Sequence, residues 1–383
     1  MKAVIAIDSL KGSLSSLEAG DAIREGIHRV FHDAEVLVRP LADGGEGTVE
    51  ALTRGIGGQI QTIEVTGPMG TPVKADYGIL NDGRTAVIEM SAAAGITLVP
   101  VNELNPLVTT TFGVGELILD AIRKGCRHFI IGIGGSATND GGAGMLQALG
   151  FGLLDEAGNP VPQGARGLEK IRIITKDNAC AALAECDFRV ACDVTNPLCG
   201  ENGCSAVFGP QKGADPSMIM KMDRWLGQYA ELTKTVFPNA DKDYPGTGAA
   251  GGMGFALISY LNAKLESGIA IVLRETHLED YVKDADIVIT GEGRLDAQTV
   301  MGKAPSGVAD IAKKYGKPVI AFSGSVTEDA VACNEHGIDA FFPILRRIST
   351  LQEAMDSGNA RKNMMDTAEQ VFRLIDAVKG GSF

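Results

Sequence analysis

Residues 132–142 combine glycines with hydroxyl, amide and carboxylate side chains, a composition suited to binding phosphate. Glycines let backbone N–H groups approach an anion, and the positive end of a following helix would attract it further. A strand-to-helix turn capped by Asn or Asp is the alternative, but a cap needs one polar residue and this loop has four. We therefore predict phosphate contacts by Gly134, Gly135, Ser136, Thr138, Asn139, Asp140 and Gly141.

This glycine-rich loop matches no standard nucleotide-binding motif. A dinucleotide fingerprint that begins at Gly132 would need glycine where Ala137 stands. The pattern G-x-x-x-x-G-K-[ST] and the protein-kinase motifs do not occur in the sequence. The loop by itself therefore indicates an anion site without specifying the ligand.

Two other loops place carboxylates among glycines. Asp43 and Glu46 are three residues apart and suit a metal ion or substrate hydroxyls, although the same spacing is also a helix-start signature. In the second loop, Glu292 and Asp296 suit Mg²⁺, and Arg294 between them suits a phosphate. An ion-pair turn at the surface is the alternative for that second loop.

Three shorter segments carry further candidates. Asp8, Ser9 and Lys11 follow the first predicted strand, and Asp193 and Asn196 follow a later one as a possible base and its support. Gly209–Gly213 supplies another cation, Lys212. A solvated lysine or an ordinary turn explains each of these segments equally well.

Charge and composition exclude several classes of protein. The net charge of −13 argues against nucleic-acid binding, which requires a basic surface. No apolar stretch reaches the roughly 18 residues of a membrane span, and the amino end has no signal-peptide pattern. Seven cysteines without a C-x-x-C pair indicate neither a disulfide framework nor a zinc ribbon. We expect a cytoplasmic protein with no membrane or nucleic-acid partner.

The elements that must position these loops alternate between strands and helices. A strand at 3–7, a helix at about 17–31 and a strand at 35–38 begin a pattern that recurs at 128–133, 286–289 and 319–322. Such alternation predicts parallel sheets, whose ligands bind beyond the carboxyl ends of the strands. Runs at 59–65, 73–80 and 85–90 predict an antiparallel meander, and 359–378 predicts a final helix with one apolar stripe.

These elements predict an α/β protein of two domains. A Rossmann-like parallel-sheet domain, discontinuous in sequence, is expected to comprise residues 1–65 plus 265–383. Residues 66–264 would form an inserted α/β domain. The active site is expected in the cleft.

Six motifs in order resemble the bacterial glycerate kinase family. They are DSLKGS from Asp8, ADGGEGT from Ala42, GIGGSATND from Gly132, ACDVTNPL from Ala191, GPQKGA from Gly209 and TGEGRLD from Thr290. The resemblance spans nearly the whole chain. It implies ATP- and Mg²⁺-dependent phosphorylation of D-glycerate to 2-phosphoglycerate, in glycerate, glyoxylate or sugar-acid breakdown.

The resemblance also suggests roles for the candidate residues. ATP phosphates would lie on the loop from Gly134 to Gly141, with Mg²⁺ near Glu292 and Asp296. The glycerate carboxylate would meet Lys11 or Arg294 and its hydroxyls Asp43 or Glu46, while Asp193 would orient the attacking hydroxyl. The substrate group also includes Asp8, Ser9 and Asn196, and Lys212 joins the phosphate group.

Three alternatives to 2-phosphorylation remain at this point. Phosphorylation of the 3-hydroxyl would give 3-phosphoglycerate. An NAD-dependent dehydrogenase would share the parallel sheet but should carry the dinucleotide fingerprint. A non-catalytic sensor of phosphorylated metabolites would need phosphate-binding loops, but not the acids beside them.

Overall fold

A computed structural model of the chain describes residues 1–42, 44–45 and 47–380. The chain folds into two compact units. The discontinuous unit comprises the described parts of 1–43, 50–56 and 269–383, and the central unit comprises those of 44–49 and 57–268. The α/β class with two domains is confirmed, whereas the domain boundaries at residues 65 and 265 stay predictions.

The strands within the described residues are β1 (Lys2–Ile5), β2 (Glu35–Val38), β3 (Gly58–Thr66), β4 (Pro72–Leu80), β5 (Thr85–Glu89), β6 (His128–Gly132), β7 (Gly152–Leu154), β8 (Ile173–Thr175), β9 (Asp187–Ala191), β10 (Lys264–Glu266), β11 (Ile287–Leu295), β12 (Val319–Val326) and β13 (Ala340–Pro343).

The α-helices of the described chain are α1 (Ser16–His28), α2 (Thr48–Ile56), α3 (Ser91–Ala94), α4 (Phe112–Arg123), α5 (Ala143–Ala148), α6 (Ala165–Leu168), α7 (Cys204–Phe208), α8 (Pro216–Val236), α9 (Ala249–Leu261), α10 (Gly268–Glu275), α11 (Leu278–Val282), α12 (Ala304–Lys314), α13 (Ala332–Glu335), α14 (Leu351–Met355) and α15 (Ser357–Gly380). Short 3₁₀ turns occur at Ile96–Leu98, Val101–Glu103, Ala181–Glu185, Pro210–Lys212 and Glu328–Val331. Among the described residues, no helix combines the length and apolar character needed to span a membrane.

The discontinuous unit contains a five-stranded sheet in the order β13-β12-β11-β1-β2. Every neighbouring pair in it is parallel, as the alternation of strands and helices predicted. Helix α15 packs its stripe of Met364, Ala368 and Phe372 into the core of this unit, which confirms the predicted apolar face. The predicted first helix is confirmed as α1, where Ser15 and Glu18 form a capping box.

The central unit contains a six-stranded mixed sheet in the order β10-β9-β6-β5-β4-β3 and a small antiparallel pair, β7-β8. The predicted meander is confirmed, because β3-β4 and β4-β5 are antiparallel. Pairs β5-β6, β6-β9 and β9-β10 are parallel. Strand β3 pairs with β4 along its whole length and therefore belongs to the central unit.

One loop prediction was wrong in its local structure. The segment that begins at Thr290 does not leave the sheet, because β11 continues to Leu295 and pairs with β12 as far as Val326. The isolated glycines hid this extension, since glycine has a low preference for strands. Glu292 and Arg294 are therefore held by sheet hydrogen bonds rather than by a turn.

Candidate functional site

The glycine-rich loop leaves the middle of the central unit's sheet at its carboxyl edge. Strand β6 lies between β5 and β9, and Gly132 pairs with Glu89 on one side and Ala191 on the other. The segment with Asp193 leaves the same edge two residues beyond Ala191. The sheet thus brings together two motifs that are about sixty residues apart in sequence, as expected for parallel strands.

The exposed part of this loop is its glycine backbone. Gly134 and Gly135 are exposed, whereas residues 136–142 are buried. Gly135 has φ of +72°, a left-handed conformation that favours glycine. Backbone N–H groups at these two residues are therefore the part of the loop that an anion can approach.

Lys212 is the cation beside the loop. It is 1% exposed, and its ammonium donates to Ser136 Oγ at 2.8 Å and to the Thr138 carbonyl at 2.6 Å. Burial lowers the pKa of Lys212 from 10.5 to about 8. The structure therefore places the predicted phosphate-binding lysine against the predicted phosphate loop, across 76 positions of sequence.

Thr138 and Asn139 have no exposed surface. Asn139 donates through Nδ2 to Ser205 Oγ at 2.8 Å and lies 3.5 Å from Met222 Sδ. Thr138 Oγ1 and Asn139 Oδ1 are buried without a hydrogen-bond partner in the described structure. Both side chains face the interior, and Asn139 stabilises the loop through its bond to Ser205. Contact of either side chain with a nucleotide stays a prediction.

Asp140 is fully buried and connects the loop to two segments. Its carboxylate accepts hydrogen bonds from Thr111 N at 2.9 Å, Thr111 Oγ1 at 2.8 Å, Gly142 N at 3.1 Å and Gly144 N at 3.2 Å. Burial raises the pKa of this carboxyl, and the four hydrogen bonds oppose that rise. The Asp140 carboxylate thus lies at the amino end of α5, where it accepts from Gly144 N. The positive helix end that was predicted to attract phosphate therefore already faces a carboxylate of the protein.

Asp193 and Asn196 both follow β9, and they differ in exposure. Asp193 is exposed, and its Oδ1 accepts a hydrogen bond from Gly268 N at 3.2 Å. Asn196 is half-buried, and its amide donates to the Asn202 carbonyl at 2.9 Å. An exposed carboxylate at a strand end is suited to meeting a substrate hydroxyl, whereas the Asn196 amide braces its own turn.

In the discontinuous unit, Asp8 lies at the carboxyl edge of the parallel sheet. Its N–H donates to the Gly291 carbonyl at 2.9 Å, and its Oδ1 accepts from Ser9 N at 2.7 Å. Asp8 is buried, Ser9 is half-buried, and Lys11 is exposed. Lys11 contributes to the electrostatic environment of Glu292, so the predicted residues of these two motifs lie near one another.

Glu292 and Asp296 share one cation that the sequence prediction missed. Lys303 Nζ lies 3.8 Å from Glu292 Oε2 and 3.5 Å from Asp296 Oδ1. Thr299 Oγ1 donates to Glu292 Oε1 at 2.6 Å. Burial raises the pKa of Glu292, while Thr299 and Lys303 oppose that rise. Arg294 points a mostly exposed guanidinium toward Asp296 at 3.7 Å.

This pair of acids fits the chemistry of Mg²⁺. Among the described residues, no group of three or more His, Cys, Asp or Glu side chains is arranged to hold a metal. Mg²⁺ is usually held by one or two carboxylates together with substrate phosphates and waters, rather than by a complete protein cage. Glu292 and Asp296 supply two such carboxylates, with 13% and 18% of their side chains exposed.

Sequence signals existed for some of the missed residues. Thr109, Thr110 and Thr111 form a run of three hydroxyls just before α4, and all three are buried. Lys303 directly precedes α12 and its Pro305, which marks a helix start. Neither signal specifies a partner.

The predicted residues Asp43 and Glu46 lie outside the described residues. The helix that follows them, α2, begins at Thr48, after Gly47.

Comparison with known proteins agrees with these motifs. The sequence model of the glycerate kinase family matches residues 3–376. The chain is 52% identical over 354 residues to the glycerate 2-kinase of Escherichia coli K12, covering 92% of this chain and 93% of that one. It is 50% identical to the glycerate kinase of Haemophilus influenzae, covering 98% and 99% of the two chains.

A solved structure shares the whole fold. A protein of Salmonella typhimurium LT2, solved under the provisional name glycerate kinase 2, superposes with a TM-score of 0.92. It is 51% identical and covers 99% of each chain. The family match over nearly the full length, with these relatives, shows that the chain belongs to the glycerate kinase family.

Proposed function

We propose that this protein uses ATP to phosphorylate the 2-hydroxyl of D-glycerate, with 2-phosphoglycerate and ADP as products. Its relative from Escherichia coli, 52% identical, is named glycerate 2-kinase, which favours the 2-hydroxyl over the 3-hydroxyl. One structural observation carries the proposal: Lys212 bonds to Ser136 and Thr138 directly behind an exposed glycine backbone. A buried cation next to exposed backbone N–H groups is an arrangement that binds phosphate.

In the central unit, the backbone of Gly134 and Gly135 and the Ser136 hydroxyl hold phosphate oxygens of ATP. Lys212 adds positive charge beneath them. Asp193, exposed at the same sheet edge, orients the attacking hydroxyl and accepts its proton, with Asn196 keeping its turn in place. The buried Thr138, Asn139 and Asp140 act by holding the loop in shape.

In the discontinuous unit, Lys11 and Arg294 bind the glycerate carboxylate. Glu292 and Asp296 would hold Mg²⁺, which would supply positive charge to phosphate oxygens. Asp8 and Ser9 contact the substrate at the end of β1, and we assign Asp43 and Glu46 to its hydroxyls. Phosphoryl transfer needs mainly positioned charges of this kind, because little covalent chemistry falls to the protein.

The proposed place of the reaction follows from its substrates. ATP is consumed, so we place the enzyme in the cytoplasm. Its reaction would convert the glycerate released by glyoxylate or sugar-acid breakdown into a phosphorylated acid.

The experiment is a product assay with D-glycerate, ATP and Mg²⁺. We expect ADP release that depends on D-glycerate, and no release with glycerol, which lacks the carboxylate. Proton-coupled ³¹P spectra identify the product, because phosphate on C2 couples to one proton and phosphate on C3 to two. A product phosphorylated on C3 contradicts the regiochemistry, and no ADP release contradicts the kinase.

A further inference from the structure

A cavity of about 530 Å³ in the central unit is lined by a cluster of cations. Its volume lies in the range of small-molecule sites. Four cations, one carboxylate and the chain's single tryptophan line it, together with apolar Leu107 and Val108. The cations are Arg166, Lys170, Lys221 and Arg224. A concentration of positive charge is unexpected on a protein of net charge −13.

These four side chains are unpaired and share one cavity, whereas Lys234 of the same unit, also unpaired among the described residues, lies outside it. None of them forms an ion pair or a side-chain hydrogen bond with another residue that the structure describes. Lys124, Arg127 and Lys242, by contrast, are paired with carboxylates at 2.8, 3.0 and 2.8 Å. All four side chains are exposed, so water and salt weaken their mutual repulsion, and an anion bound among them would turn that repulsion into attraction.

Trp225 provides an independent observation at the same cavity. Its side chain is 5% exposed, and its indole N–H is buried without a hydrogen-bond partner in the described structure. Lys221, Arg224 and Trp225 are at positions i, i+3 and i+4 of α8, so they share one face of that helix. A buried donor without an acceptor is costly, so this side of the cavity carries an unsatisfied polar group as well as the two cations of α8.

The walls of the cavity also contact the glycine-rich loop. The segment with Leu107 accepts a hydrogen bond from Arg166 N at 3.1 Å. Two residues further along, Thr109 Oγ1 donates to the Ala137 carbonyl at 2.9 Å. On the other wall, α8 places Met222 Sδ 3.5 Å from Asn139 Nδ2. A ligand that orders either wall therefore acts on the loop through direct contacts.

We propose that this cavity is a second anion site, which binds a small phosphorylated metabolite and changes the affinity of the glycine-rich loop for ATP. Phosphate is the favoured group because it carries up to two charges and accepts several hydrogen bonds at once. A second cavity of about 510 Å³ in the same unit is lined by Asp241 and Glu266 with one lysine, Lys264, and lacks this character. Only the effect on ATP rests on the proposed function, since binding needs no turnover.

Inorganic phosphate is the probe, and Trp225 is the reporter. We expect a saturable change in tryptophan fluorescence as phosphate replaces chloride at constant ionic strength. Lys221→Glu reverses one charge at the cavity and should weaken phosphate binding by at least about 10-fold. Lys234→Glu makes the same change on an exposed position of α8 away from the cavity, and should leave binding within about 2-fold.

Two results would overturn the proposal. One is a fluorescence response that is absent in the parent protein or equal in Lys221→Glu, because phosphate would then bind elsewhere or not at all. The other concerns coupling to ATP. We expect phosphate to shift the KM for ATP in the parent and in Lys234→Glu, but not in Lys221→Glu. An equal shift in all three proteins assigns the effect to competition at the loop. Arg166→Ala, on the opposite wall, should reproduce the Lys221→Glu result.

Discussion

Lys212→Met is the most direct test of the loop. The substitution keeps an unbranched side chain of similar length and removes the ammonium that bonds Ser136 Oγ at 2.8 Å. An anion bonded to that hydroxyl would lie at most about 5.5 Å from Nζ, the sum of two hydrogen-bond lengths. At an effective dielectric constant of about 20, charges at that distance attract by about 3 kcal/mol. We therefore expect kcat/KM for ATP to fall by about 100-fold.

The stability of the variant distinguishes charge from folding. Loss of the ammonium leaves the Thr138 carbonyl without the 2.6 Å donor that it has in the parent. An unsatisfied buried acceptor costs about 1 to 3 kcal/mol, part of which is offset because a desolvated charge is also removed. Urea unfolding should therefore show a folded variant with a loss below about 3 kcal/mol.

The assay is a steady-state titration of ATP at saturating D-glycerate and Mg²⁺. Lys234→Met, the same substitution at an exposed position of the same unit, serves as the control and should retain the parent kinetics. If folded Lys212→Met keeps kcat/KM for ATP within about 3-fold of the parent, the charge of Lys212 does not act on a phosphate, and its role is confined to holding the loop.

Three further predictions follow from the same contacts. Because burial lowers the pKa of Lys212 to about 8, its proton is lost as pH rises through that value, so KM for ATP should increase above about pH 8; a flat KM between pH 7 and 9 contradicts this. Asp140→Asn replaces one of the two carboxylate oxygens, which together accept from Thr111, Gly142 and Gly144, by an amide group that cannot accept, and should lower the free energy of unfolding by about 1 to 3 kcal/mol in urea titrations. Asp296→Asn should raise the Mg²⁺ concentration for half-maximal rate by at least about 10-fold; turnover and Mg²⁺ dependence within a few-fold of the parent would remove Asp296 from the site.

The order of strands and helices was predictable because it depends on local patterns. Apolar runs followed by polar turns identified β1, β2, β6 and the meander, and helical spacing identified α15. These signals are periodic along the chain and need no knowledge of distant contacts. The same argument placed the polar loops at strand ends, where the glycine-rich loop and Asp193 are found.

The prediction failed where pairing with a neighbour overrides local preference. Thr290–Leu295 contains two glycines and two charged residues, yet it remains in the sheet because β12 pairs with it throughout. Lys303 and Thr299 were missed for a related reason. Each is an ordinary polar residue in sequence, and only the folded chain brings it to Glu292.

By itself, the sequence determined the α/β class, the family and the residue types available for phosphate and metal. Ordered motifs and periodic patterns suffice for these, because both can be recognised along the sequence without knowledge of tertiary contacts. Only the tertiary structure decided that Lys212 meets Ser136 and that the Asp140 carboxylate accepts from Gly144 N in the first turn of α5 and from Thr111 before α4. The Gly134–Gly135 backbone is left exposed. The physical reason is burial: a buried ammonium or carboxylate must find partners, and those partners come from wherever the fold places them.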